Sequence, residues 1–218
     1  MSSDFDPDES IQDRLSAILF SIYRENRFYG PTLVLHISYV AVFAAVAATE
    51  LGGDGRLAYL AGLLHDIGAA MKGPKDHHQT GAEIAGKMLR GLGYPKETIE
   101  QVKQCLLVHR GSIASERITI EARCVASADG FVHFFRVADL FWVAFVKLGL
   151  DASDAGEWVG KKLQRSWNKM LPQHRAMVAS QGRAGMKGNL ALALDQWDKD
   201  FPPITGEIGS LYIRACER

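Results

Sequence analysis

Between Leu33 and Ala48 apolar residues follow one another almost without interruption, and this stretch constrains the fold more than any other part of the chain. It is shorter than the roughly 20 residues a helix needs to span a bilayer, and it carries His36, Ser38 and Tyr39. It therefore reads as a buried helix of a globular protein, over about residues 33–51, ended by Gly52-Gly53-Asp54-Gly55.

The flanking segments keep the same period. Ile11, Leu15, Ile18, Leu19 and Ile22 recur at helical spacing before Pro31 and Thr32 punctuate the chain. A helix is expected over residues 56–67, stopping near Gly68, and Lys72-Gly73-Pro74-Lys75 reads as a loop, after which Asp76 caps the next helix. Ala82, Ala85, Met88 and Leu89 mark that helix over residues 77–92, closed by Gly91 and Gly93. Pro95 suits the first turn of another, which carries Ile99, Val102, Leu106 and His109 on one face until Gly111. A further helix is expected over residues 118–130. Phe134, Phe135, Trp142, Trp158, Trp167 and Trp197 sit among later segments of the same kind. No segment alternates as a strand does, and no repeat or low-complexity linker appears. The expected architecture is all-α: a flexible tail at residues 1–10, then one helical domain over 11–218, with its core at 33–135 and a helical extension at 136–218.

Composition narrows the partners. The chain has 218 residues, 47% hydrophobic, enough for one core, and its 25 Lys and Arg balance 25 Asp and Glu. No global field draws it to nucleic acid or an anionic membrane, so neither is expected as a partner. Cys105, Cys124 and Cys216 form no CxxC pair, which points to core thiols and a reducing, cytoplasmic compartment. The acidic residues 1–10 are the reverse of a secretory signal. Lys161, Lys162 and Arg165 read as a solvated helix face. The later aromatics read chiefly as core, and the segment that carries them either covers the mouth of a site or makes a contact in a homo-oligomer.

The chemistry starts at His65-Asp66, which ends the run Ala61-Gly62-Leu63-Leu64. Two ionisable groups taken out of water there cost several kcal/mol, on the order expected for buried charge, unless paired or bound to a metal ion. A hydrogen-bonded structural pair is the bland alternative. His36 shares a helical face with Val40, Phe43 and Ala47, Asp129 one with Val125 and Ala122, and His109 one with Val102, Cys105 and Leu106. Each alone reads as structural; together they favour a shared metal site.

The order His36, His65-Asp66, Asp129 resembles the H…HD…D signature of the HD superfamily of metal-dependent phosphohydrolases, over roughly residues 33–135. His77, in Asp76-His77-His78-Gln79-Thr80-Gly81, and His109, in Leu107-Val108-His109-Arg110, resemble the extra histidines of its dinuclear subgroup, as does Leu92-Gly93-Tyr94-Pro95 between them. The resemblance implies that His36, His65, Asp66 and Asp129 hold one divalent ion and that Asp66 bridges to a second held by His77 and His109. Imidazole and carboxylate suit Mn, Fe, Co, Ni or Zn. Two such ions about 3.5–4 Å apart activate a bridging water for attack on phosphorus. Asp66 is thus both ligand and catalytic residue. His78, about 100° around a helix from His77, is a substrate contact or an exposed residue. Lys72, Lys75 and Arg110 are candidate phosphate contacts, with solvated side chains as the alternative. His133 stands as a support for the site or a general acid, or as a core-edge histidine. The implied substrate is a small phosphorylated or nucleotide-like molecule, cleaved by a phosphodiesterase, phosphatase or nucleotide hydrolase. A di-iron oxygenase on the same ligands, and a non-catalytic nucleotide-sensing domain stabilised by metal, are the alternatives.

Overall fold

The computed structural model of the chain describes residues 7–26, 29, 32–112 and 116–180. Among them every regular element is helical. Helix α1 is Pro7–Glu25, α2 Thr32–Glu50, α3 Gly55–Leu64, α4 Ile67–Lys72, α5 His77–Gly91, α6 Lys96–Val108 and α7 Ile120–Phe135. Then come α8, Val137–Trp142, running into a π-helical turn at Val143–Lys147, α9, Ala152–Lys169, and α10, Pro172–Ser180. The described residues up to Ala179 belong to one compact unit. The helix expected around Trp197, and Cys216, lie outside the described residues.

The apolar helix sits where its composition demands. Twelve of the 19 residues of α2 are buried, and α3 and α7 pack along it while α1 adds a further side. By length and composition α2 would also cross a membrane, but most of it is buried within this bundle. Tyr23 on α1 donates from its hydroxyl to the Leu63 carbonyl at 2.6 Å, tying α1 to the end of α3. Farther on, the Leu171 N–H donates to the Ser127 hydroxyl at 2.7 Å, and that hydroxyl lies 2.7 Å from His174 Nδ1, which fastens α10 to α7.

Several expectations shift once neighbours are present. Helix α1 begins at Pro7, so residues 7–10 of the expected tail are helical. The chain breaks not at Gly68 but at His65-Asp66, between α3 and α4. Gly68 lies inside α4 because α5 crosses it: a Cβ there would stand 2.2 Å from the His77 carbonyl oxygen and 2.5 Å from the Gly81 nitrogen. Lys72 is the last residue of α4 rather than part of a loop. Asp76 makes no side-chain cap; it adopts the left-handed conformation, φ 49°, and turns the chain so that α5 opens on His77. Helix α7 runs on through Gly130 to Phe135.

Candidate metal centre and its pocket

Five elements or their ends meet at one place. His36 comes from the first half of α2, His65 and Asp66 from the turn between α3 and α4, His77 from the first position of α5, His109 from the residue after α6, and Asp129 and His133 from α7. Asp66 lies between the helical and extended regions, φ −105° and ψ 13°, a conformation seldom used outside turns and functional sites.

Three of the imidazoles are oriented by backbone. His65 Nδ1 lies 2.7 Å from the Gly62 carbonyl, His77 Nδ1 2.9 Å from that of Pro74, and His109 Nδ1 2.6 Å from that of Leu106. A carbonyl only accepts, so each Nδ1 carries a proton, and each ring turns its Nε2 inward. The Nε2 atoms of His77 and His109 are 3.2 Å apart, and Asp66 Oδ1 lies 3.2 Å from the first and 3.8 Å from the second. On the other side, His36 Nε2 is 3.3 Å from Asp129 Oδ1. His65 Nε2 lies 3.5 Å from Asp66 Oδ2 and 4.0 Å from Asp129 Oδ1, and it is buried with no hydrogen-bond partner.

Electrostatics sharpen the point. Burial alone would raise both carboxyls; facing His65, His109 and His77 overcome this for Asp66, and Lys169 and His133 for Asp129, so both stay well below the usual carboxylate range. Burial pushes His65 down to about 4 and lowers His77. The carboxylate oxygens and the inward Nε2 atoms thus crowd one place, where a cation would satisfy them together. The orphaned His65 nitrogen and the lone pairs around Asp66 fit a divalent ion. Asp66 with His77 and His109, and His36 with His65 and Asp66, each bring their ligand atoms within 4.8 Å of one another, as does His36 with Asp129 and His133.

The centre opens on a cavity of about 460 Å³, a size suited to a small ligand. Of the candidate substrate contacts, Arg110 lines it. His78 is buried off its wall, and Arg110 donates to His78 Nδ1 at 3.3 Å, so this histidine holds the arginine instead of facing the cavity. Lys72 and Lys75 are exposed and off the wall, because the turn at Gly73 brings only Pro74 to it. His133 lines the cavity, stacks on His36 with ring centroids 5.1 Å apart, and pairs through Nδ1 with the Ser166 hydroxyl at 2.9 Å. Burial, then Lys162, hold it well below its ordinary value, so it is a neutral imidazole rather than a ready acid.

Sequence reasoning missed one wall. Helix α9 contributes Trp158, Lys162, Arg165, Ser166 and Lys169. The Lys169 ammonium is buried, bonds to Asp129 Oδ2 and donates to the His109 carbonyl at 3.1 Å. Of the expected solvated face only Lys161 fits; it is exposed and pairs with Glu157.

Residues 34–132 match the HD domain family. Ribonuclease Y of Alkaliphilus metalliredigens is 40% identical over 103 residues, 46% of this chain and 20% of that protein. Ribonuclease Y of Helicobacter pylori is 30% identical over 122 residues, 55% of this chain and 21% of that protein. The chain thus spans about a fifth of the length of these relatives. Among solved structures, Bacillus subtilis YpgQ superposes with a TM-score of 0.59 at 20% identity, covering 91% of this chain and all of YpgQ, and its complex with ADP gives the same score. At that identity the likeness speaks for the fold. The matched segment, residues 34–132, reads as an HD domain, and it holds the histidines and aspartates that meet at the centre.

Proposed function

We propose that this protein is a metal-dependent phosphohydrolase acting on a small phosphorylated, nucleotide-like substrate. The observation that carries the reading is the convergence of His77 Nε2, His109 Nε2 and Asp66 Oδ1 within 3.8 Å, while the Nδ1 of each histidine is taken by a backbone carbonyl. In this reading His36, His65, Asp66 and Asp129 would hold one divalent transition ion, and Asp66, His77 and His109 a second. Bound there, such ions would supply a lowered water pKa and positive charge for phosphoryl oxygens.

The chain's own groups do the rest. Asp66 spans both ligand sets through its two oxygens, which face different histidines. Arg110, steadied by His78, presents a planar cation to a phosphoryl group in the cavity. Ser166 orients His133, whose Nε2 lies 3.6 Å from Asp129 Oδ1, so that it steadies this ligand at the cavity wall. Arg110, Lys162 and Arg165 on the wall favour an anionic substrate over the neutral or zwitterionic ones a di-iron oxygenase would take. A small molecule is favoured over RNA, the substrate class named for the relatives, because the cavity is small and the chain carries no net charge. Buried, unpaired Cys105 and Cys124 support a reducing, cytoplasmic setting.

The test is metal analysis of the purified protein, followed by anaerobic release assays on nucleotides, phosphoesters and short RNA with Mn, Fe, Co, Ni or Zn. Release of phosphate or a nucleotide, lost together with bound metal in Asp66→Ala, is expected. Oxygen consumption without phosphorus release would overturn the reading.

A further inference from the structure

Helix α9 lies beyond the residues matched by the HD domain, yet it supplies one whole wall of the cavity. Trp158, Lys162, Arg165 and Lys169 recur every three or four residues, with Ser166 beside Arg165, so they form one stripe along the helix. At about 1.5 Å of rise per residue the stripe is about 16 Å long. Its Lys169 end touches Asp129 and the metal ligands. Its Trp158 end packs with Leu140 and, through Leu140, Val143 and Leu148, closes the cavity with apolar surface.

The charges along the stripe are unequal in kind. Lys169 is taken up by Asp129, and across the cavity Arg136 is taken up by Asp139. Among the described residues no carboxylate pairs with Lys162 or Arg165. They stand between the metal ligands and the apolar end, half-buried and facing the cavity. Their position is held from behind: a Cβ on Gly111 would stand 2.9 Å from the Arg165 carbonyl, and one on Gly130 2.7 Å from that of Ser166, so the α9 backbone lies directly on two glycines. The backbone that carries the two cations is thus in place before a ligand arrives.

The structure assigns α9 as the element that reads how many phosphates the substrate carries. With one phosphoryl group at the metal ligands, Lys162 and Arg165 hold the next phosphate, and the apolar end beside Trp158 takes a planar, weakly polar head. The ligand class is an organic di- or triphosphate, such as a nucleoside diphosphate, in preference to a monophosphate. This rests on the phosphohydrolase reading for which group sits at the metal ligands.

The test uses the full chain with Mn supplied, and phosphonate analogues of AMP and ADP whose P–C bonds cannot be cut, titrated by calorimetry. The wild-type chain is expected to bind the diphosphate analogue at least about tenfold more tightly, the worth of one charge-assisted contact. In Lys162→Ala/Arg165→Ala that preference collapses, whereas Lys162→Arg/Arg165→Lys keeps it; an unchanged melting temperature shows that the fold persists. Equal binding of the two analogues by the wild-type chain, or an undiminished preference in the double alanine variant, overturns the assignment. The preference appearing without phosphorus release from any substrate would sink the phosphohydrolase reading and leave the binding role standing. Release from nucleotides without the preference would do the reverse.

Discussion

Two walls of one cavity are built by opposite means. The wall from α2 to α7 buries its ionisable groups: His65, at the end of the apolar α3, is fully buried, and Asp129, on the largely buried α7, nearly so. The wall from α9 keeps its charges at the edge of an amphipathic helix, with Lys162 half-buried beside the exposed Lys161. Burial without a partner is expensive, so the first wall advertises a bound ion. A cation on a half-exposed helix costs little, so the second wall advertises nothing until its neighbours are seen.

The largest effect should come from the buried wall. Asp66→Ala is expected to lower phosphoester turnover by at least about a thousandfold, more than the loss of a single electrostatic contact, and to reduce bound metal on elemental analysis. Retained turnover would break the division between the walls. Next is the crossing of α4 and α5 that sets His77 against Asp66: Gly68→Ala should cost about 3 kcal/mol in denaturant unfolding, because backbone stands where its Cβ would go. Lys169 joins the two walls. Lys169→Met should weaken metal affinity or kcat by about 10–100-fold, the range for removing a group that orients a ligand, with partial recovery in Lys169→Arg, read by metal titration alongside kinetics. The smallest effect belongs to the start of α9, where the Asp151 side chain accepts from the Asp154 N–H at 2.9 Å. Asp151→Ala should cost about 1 kcal/mol and leave metal stoichiometry as it was; a change in bound metal would show that the walls do not act separately.

The same contrast explains how far sequence alone reaches. Helix periodicity and the nearly continuous apolarity of residues 33–48 announce the all-α bundle and its central helix. His36, His65, His109 and Asp129 are legible because an ionisable side chain on an apolar face needs a reason. His77 rests on resemblance, since nothing local marks it over His78. The turn at His65-Asp66 and the reach of α7 past Gly130 are not legible, because both depend on which backbone lies across from a glycine. Lys72 and Lys75 look right by nearness in sequence, yet a turn at Gly73 with φ 91° sends them to solvent. Lys162 and Arg165 differ from Lys161 only in angle around α9, and the one local hint is their spacing from Trp158 and Ser166.

The carbonyls behind the imidazoles tie the centre to the helices that carry it. His65 and His109 are each the residue that ends a helix, and each Nδ1 binds a carbonyl of that helix's own last turn, where backbone acceptors otherwise lack partners. The same ring thus finishes a helix with one nitrogen and faces the centre with the other. Chelation should be felt as fraying: amide hydrogens at the ends of α3 and α6 would exchange faster, and a protease would find its first cut there, far sooner than in the middle of α2.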